Sequence, residues 1–466
     1  MNPMSSIIRK RPCRNLLMWA VMLLLSVLTV SCSKTDTALM DNVPADASFV
    51  AVVDLGKVIT NAGCKLTSTG VALTPAMQSR INASIGNQAY ERLSGMLPYV
   101  DTKHVMVFAE KREFILTYMI TDADGYKAAM EELAGEPESK DGFMVYGGRL
   151  VTAVKGNQAW TMEGDADYVV KEVSEILEKA SDKNFTSNRG LVEFLEESAS
   201  ASVVMNLAAM GLKDTDTWIA AHIRLADMSA EADLQLMQGD GEIVPAEGFS
   251  NVDADFLRYV PADFNYAVAI GVDNGETLSG WLRMVMPVMP FEQRGMLESV
   301  MPFIAKVKGT IAVAGQLAPE AAGSDDELGH ISPLLVMAKM DQADVDASVQ
   351  SFVTMARGMG ASVSADGNGR YVASAPGMKI YFGNIDGNLG IATIPFNSNQ
   401  ENSMAPAFGT RLGGAYLRLP QGYKGMFSTP VEIKAKLQPQ FMRAEMTFPG
   451  TTGPFLKTYL ETAVNE

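Results

Sequence analysis

The chain has 466 residues, 47% hydrophobic and 20% charged, a balance that excludes disorder over most of its length. That length exceeds one ordinary domain and suits two or three. With 54 Asp and Glu against 38 Lys and Arg the net charge is −16, so the clustered positive surface that DNA or RNA requires is absent and no nucleic-acid partner is expected.

The first segment reads as a processing signal. Arg9, Lys10, Arg11 and Arg14 form a basic n-region, and the apolar run Leu16 to Val30 is short for a transmembrane helix but fits a secretory h-region. It closes in Leu28-Thr29-Val30-Ser31-Cys32, where small residues precede a cysteine as in a bacterial lipobox. The expectation is a lipoprotein signal peptide over 1–31, cleavage before Cys32, diacylglycerol on its sulfur and a further acyl chain on its amine. Residues 32–42 then form the lipidated Cys and a tether. Several acyl chains anchor a protein stably where one binds only marginally. Cleavage removes four bases and no acid, so it deepens the negative charge by four. Of the three cysteines only Cys64 remains, which leaves no partner for an internal disulfide. No His or cationic cluster flanks Cys64, so it reads as a small buried apolar residue.

Beyond the signal the chain says similar things twice. Val43-Pro44-Ala45-Asp46 opens the apolar run Phe49 to Val53 and ends on Asp54; Val260-Pro261-Ala262-Asp263 opens Tyr266 to Ile270 and ends on Asp273. Proline suits the start of an extended segment, and each later Asp stands where a helix N-cap is wanted. In the same order follow Leu97-Pro98-Tyr99-Val100 and Met301-Pro302-Phe303-Ile304, then strands Val105 to Phe108 and Ile311 to Ala314. Next, Leu116 to Ile120 runs into Asp122 and Asp124, as Leu335 to Lys339 runs into Asp341 and Asp344. Gly156-Asn157 and Gly387-Asn388 are each placed as hairpin turns. Three late strands close each copy: Val203 to Leu207, Ile219 to Leu225 and Ala230 to Leu236, against Ala415 to Leu419, Val431 to Lys436 and Ala444 to Phe448.

Each copy therefore reads β, long α, β-β, α, β-β, then helices and three strands. Short turns between successive strands favour an α+β fold, two tandem copies of a mainly antiparallel sheet with helices on one face. The copies are placed at 43–245 and 246–466, joined near Gly239 to Asp255. Ala318 to Gly329 and Asn397 to Thr410 read as loops.

The lipobox at Cys32, the tether and the Val43 to Leu55 segment resemble a family of lipoproteins from Bacteroides and its relatives, domain of unknown function 4836. The resemblance implies an envelope lipoprotein and lends no activity. Surface-exposed lipoproteins of that group carry acids just after the cysteine. Ser33-Lys34-Thr35-Asp36 has one, which favours the periplasmic face of the outer membrane.

Chemistry-bearing motifs are sparse. His104, His222 and His330 fall in different segments without metal-ligand spacing, and no nucleophile elbow, P-loop or dinucleotide fingerprint occurs. In Ile219 to Leu225 the alternation places His222 on the polar, solvent side of a strand. Asp122, Asp124, Asp341, Asp344 and Asp346 miss calcium-loop spacing and read as helix starts. The acidic stretch Glu163 to Glu197 reads as a helix with one solvated and one packed face. Met284, Met286, Met289, Met296 and Met301 crowd one segment, where thioethers suit Cu(I) or an apolar groove; their apolar neighbours make them core filler. The expected function is a non-catalytic binding or structural lipoprotein, with no metal, no cofactor and no assigned catalytic residue. Its partners would be the bilayer, through Cys32, and an envelope protein or glycan. The alternative is an envelope hydrolase with a non-local active site.

Overall fold

The computed structural model describes residues 37–463, except 76, 80–90, 92–93, 111–112, 149, 211–215, 287–290, 318–332, 399–403, 410 and 424–426. The signal peptide, Cys32, Ser33 to Asp36, the Ala318 to Gly329 loop and His330 lie outside the described residues.

Strand β1 (Phe49–Val53) leads through the helix Leu55–Asn61 and a small hairpin, β2 (Lys65–Thr67) and β3 (Gly70–Ala72), to β4 (Val105–Glu110) and β5 (Glu113–Met119). The helix Ala123–Ala134 connects to β6 (Glu138–Lys140), β7 (Phe143–Tyr146), β8 (Leu150–Lys155) and β9 (Gln158–Glu163). Helices Ala166–Asp182 and Arg189–Leu195 precede β10 (Ala201–Asn206), β11 (Thr217–Leu225), β12 (Ser229–Gln238) and the short β13 (Ile243–Val244). The second half begins with β14 (Tyr266–Val272), helices Gly275–Val285 and Phe291–Ile304, β15 (Val307–Gly315) and β16 (Leu334–Met340). After the helix Gln342–Gly358 come β17 (Ser362–Gly367), β18 (Arg370–Ala375), β19 (Met378–Ile385) and β20 (Asn388–Ala392). Strands β21 (Gly413–Leu419), β22 (Val431–Leu437) and β23 (Met442–Thr447) precede a last helix, Phe455–Thr462.

The fold is α+β, built on one open sheet of 21 strands whose pairings are antiparallel. Across the first half the order is β6-β7-β8-β9-β5-β4-β1-β10-β11-β12. Across the second it is β17-β18-β19-β20-β16-β15-β14-β21-β22-β23, the same order with each strand replaced in turn. The halves meet where β12 pairs with β23, Ala232 facing Ala444. When the hairpin that pairs Leu225 with Ala230 is laid on the one that pairs Leu437 with Met442, these alanines are counterparts, so a local two-fold runs through the seam.

Several elements differ from the sequence reading. The first half gains the short β2, β3 and β13, and each half has a further outer hairpin, β6-β7 and β17-β18, turned at Asp141-Gly142 and Asn368-Gly369, where both residues of each pair have positive φ. These are the type I′ turns that match strand twist. The later hairpin of the second half turns on Asp386-Gly387 (φ 51° and 84°), not Gly387-Asn388; Asn388 pairs with Ile385 inside the ladder. Asp54 and Asp122 cap helices by accepting from Lys57 N (3.0 Å) and Gly125 N (3.1 Å). In the second half the cap is Asn274, accepting from Thr277 N at 3.1 Å, not Asp273.

The helices also do not keep to one face. On the front face, Leu55–Asn61 and Ala123–Ala134 cover the first half, and Gly275–Val285, Phe291–Ile304 and Gln342–Gly358 cover the second. On the back face, Ala166–Asp182 and Arg189–Leu195 cover the first half. The second half has no α-helix there among the described residues: the 3-10 turns Ala254–Tyr259 and Ala405–Ala407 pack on it, as the 3-10 turn Thr37–Asn42, with Leu39 and Met40 buried, does in the first half beside its helices. Helix Phe455–Thr462 crosses back to the first half, where Leu456 joins the core and its N–H donates to Asn61 Oδ1 at 2.6 Å. Dividing the chain at residue 245 therefore separates the strand sets but not their packing.

Candidate functional site

The strands at the seam have two chemically opposite faces. On the back face β11, β12, β22 and β23 carry charge, centred on Asp233, which accepts from Arg224 at 2.5 Å and from Arg443 at 2.6 and 2.9 Å. Burial alone would raise the Asp233 carboxyl; the two guanidinium groups outweigh it and hold it below the usual carboxylate range. Glu231 and Glu445 face each other across the seam, and each lies beside a cation on its outer strand, Arg224 or Lys434.

On the front face the same strands present apolar side chains except at one end, where Thr217 and Gln238 pair. The register carries one row across: Val268 pairs with Val313 on one side and Ala415 on the other, and the row continues through Ala435, Ala444 and Ala232 to Ile223. Parallel rows place Met205, Ile219 and Leu236 on one flank and Leu417 and Ile433 on the other. Most of these side chains are half-buried, whereas Val268 is 51% exposed, Ile223 37% and Met442 36%. Phe49 and Phe114, in edge-to-face contact at 5.7 Å, extend the surface into the first half, with Phe114 37% exposed. From β14 to β11 this face spans six strands, about 24 Å at ordinary strand spacing. Period-2 alternation in β11, β12, β22 and β23 is the cause: apolar and polar residues alternate, and among the described residues no helix covers the middle of the apolar side, the helix Phe455–Thr462 packing at the end that holds Ala230, Ile433 and Met446.

This arrangement inverts the expectation for His222. Trp218, Ala220 and His222 point to the back face, under the helix Arg189–Leu195, and His222 is 3% exposed. Phe194 stacks on its ring at 3.7 Å between centroids, and its Nε2 donates to the Phe194 carbonyl at 2.8 Å. The apolar set Ile219, Ala221 and Ile223 takes the open face instead. The sequence alternation was right and the assignment of its inner side was reversed, as a strand with two usable faces permits.

The remaining candidates take structural places. His104 is buried, its Nδ1 donating to Asp101 Oδ2 at 2.8 Å. Cys64 is buried with Sγ 3.1 Å from Met77 Sδ, and burial pushes its thiol up, away from reactivity. Met301 is buried and Met286 half-buried; the side chains of Met284, Met289 and Met296 lie outside the described residues. In the acidic stretch, Asp165 caps Ala166–Asp182, and Val169, Val170, Val173 and Ile176 pack beneath it.

A concavity of about 270 Å³ opens on the back face of the second half, between Asp253, Asp255, Arg258, Tyr259, Lys339 and Asp386. Two of its three carboxylates are paired: Arg258 donates to Asp386 at 2.6 Å, Tyr259 donates to the same carboxylate, and Lys339 lies 3.4 Å from Asp253, with Asp255 the third. Burial and the Asp386 acceptor both push the Tyr259 hydroxyl up. Among the described residues the displaced carboxyls, Asp101, Asp233 and Glu432, are displaced down, which keeps them ionised. A general acid at neutral pH needs the opposite shift. Among the described residues no group of three His, Cys, Asp or Glu side chains is placed to hold a metal, and no helix is long and apolar enough to cross a membrane. Comparison with protein-family models, with curated proteins and with solved structures finds no match for this chain.

Proposed function

We propose that this protein is a non-catalytic lipoprotein of the outer membrane, anchored through acylated Cys32 with its body on the periplasmic side. It holds a partner envelope protein against the open front face of the sheet. The Bacteroides-type resemblance and the lipobox support the anchor, and the matching strand orders support a duplication behind the two halves. The observation that carries the binding role is the apolar face shared by the six adjacent strands β14, β21, β22, β23, β12 and β11, whose central row from Val268 to Ile223 has no hydrogen-bonding side chain. Exposed apolar surface on this scale marks an interaction site. A glycan needs hydrogen-bonding side chains, and a small ligand needs a concave site that buries most of its surface. A broad flat apolar face suits neither, and suits the apolar surface of another protein.

Photo-crosslinking groups placed at Ile223 and Val268 in the full chain, with a control at Glu231 on the opposite face, test this in cells. The expected result is one discrete adduct with an envelope protein from both front positions and none from Glu231. Equal adducts from both faces, or none from the front, would sink the binding role. Cys32→Ala should move the chain from the membrane to the soluble fraction, and unchanged membrane retention rejects the anchor separately.

A further inference from the structure

Among the described residues the two strand orders end in β6 and β17, at equivalent positions in the two halves, and the two-residue β13 beside β12 is a further short end. Unpaired backbone N–H and C=O groups along an edge invite another strand, and proteins blunt such edges by shortening, proline or charge. The β6 edge shows all three. It is three residues long, Pro137 precedes it, Glu138 and Lys140 are two of its three residues, and Lys140 is held by Asp167.

The β17 edge lacks the first two, and its one charge sits at the irregular end of its ladder, between Ala365 and Gly367. It runs six residues, Ser362 to Gly367, without proline and with Asp366 its only charge. Only β18 pairs with it among the described residues, and every residue but Val363 is exposed. At its Ser362 end the chain leaves exposed methionines: Met359 is 74% exposed and Met355, on the preceding helix, 49%. Met378, across the sheet from that end, is also exposed. Flexible thioethers beside an open strand form an adaptable apolar border for whatever pairs there.

We propose that β17 is the docking edge for a second copy of this chain, pairing antiparallel with its own equivalent about a two-fold axis. Two observations select a second copy. The chain already joins edge strands in this way at its seam, where β12 and β23 meet about a local two-fold with Ala232 facing its counterpart Ala444. The edge is also electrostatically self-compatible: any two-fold centre from Ser362 to Ala365 sets Asp366 opposite an uncharged residue of the other copy. Isologous contact of this kind closes at two copies, so it makes a dimer and not a fibre. It would double the open apolar face without covering it.

The test is cysteine crosslinking of the full-length chain in whole cells. Ser364→Cys treated with a short bis-maleimide should give a band at twice the monomer mass, and Ser139→Cys on the β6 edge should not. Adding Ser362→Lys and Ala365→Lys to Ser364→Cys should abolish the band, because lysines on the edge disfavour pairing. Should Ser364→Cys fail to accumulate, Ser362→Cys replaces it, since both positions are exposed. A band of any other mass assigns the edge to a foreign strand and overturns self-pairing. No double-mass band from a cysteine that a monofunctional maleimide labels overturns it equally, as does the same band from both edges.

Discussion

The two halves use one strand order but fill their back faces differently. In the first half β1 and β4 present Val50, Val52, Met106 and Phe108 to a core shared with Leu39 and Met40 of the 3-10 turn Thr37–Asn42, while a 17-residue helix, Ala166–Asp182, packs on β7, β8 and β9 with Val169, Val173 and Ile176 in the same core. In the second half the corresponding strands, β14 and β15, present Ala267, Ala269, Ala312 and Ala314. The cover is irregular chain, from which Phe256 and Phe408 meet edge to face at 5.4 Å. Large strand side chains fill much of the first half's core from the sheet side. Alanines let a coil lie close, so its own aromatics supply the volume that the strands lack. The same architecture is thus satisfied by two volume distributions, one with bulk in the sheet and one with bulk in the cover.

That comparison is open to direct attack, and the largest effect belongs to the first half. Phe108 is fully buried on β4, so Phe108→Ala should cost about 3–5 kcal/mol of unfolding free energy. Val268→Ala, on the open front face, should stay within about 0.5 kcal/mol, as for a surface residue. Urea denaturation of both variants measures the difference, and similar losses would mean that the front face is not open in solution. The next effect runs in the other direction. Ala269 is buried beneath the coil cover, so Ala269→Leu should overpack it and cost about 1–3 kcal/mol. A neutral or stabilising outcome would show that the second half holds spare volume and that its alanines are not matched to the cover.

How much of this was legible varies by element. The strands β1, β4, β5, β10, β11 and β12 and their counterparts could be read because each is a hydrophobic or alternating run bounded by turn residues. The two outer hairpins were missed although Asp141-Gly142 and Asn368-Gly369 are among the strongest local hairpin signals, because their flanking strands are short and polar: Glu138-Ser139-Lys140 and Ser362 to Gly367. The open apolar face could not be read at all. Alternation in Ile219 to Leu225 shows that the two faces differ, but which face receives a helix depends on Arg189–Leu195, a contact between distant segments. His222 followed that error. The C-terminal helix was missed as a clasp for the same reason, since its partner Asn61 lies 395 residues away.

The smallest expected effect concerns His222 itself, and it tests which face is inner. Burial holds its pKa below the ordinary histidine value, while the Phe194 carbonyl and the Glu197 and Asp233 carboxylates pull it up and Arg224 pushes it down. A carbonyl only accepts, so Nε2 carries the proton of the neutral ring and Nδ1 can accept from Arg224 Nη2 at 3.5 Å. In the unfolded chain the ring titrates near about 6.5. Because the folded value lies lower, the unfolded state binds more protons between the two values. The contribution of His222 is therefore complete above about pH 6.5 and is lost as pH falls from there towards the folded value. His222→Gln keeps an amide that can donate to the Phe194 carbonyl and removes the titration. Thermal midpoints of the native chain should drop more than those of this variant between pH 7.5 and pH 5.5, chosen to bracket the unfolded value of about 6.5. Parallel curves would return His222 to solvent and put the apolar set of β11 on the covered side.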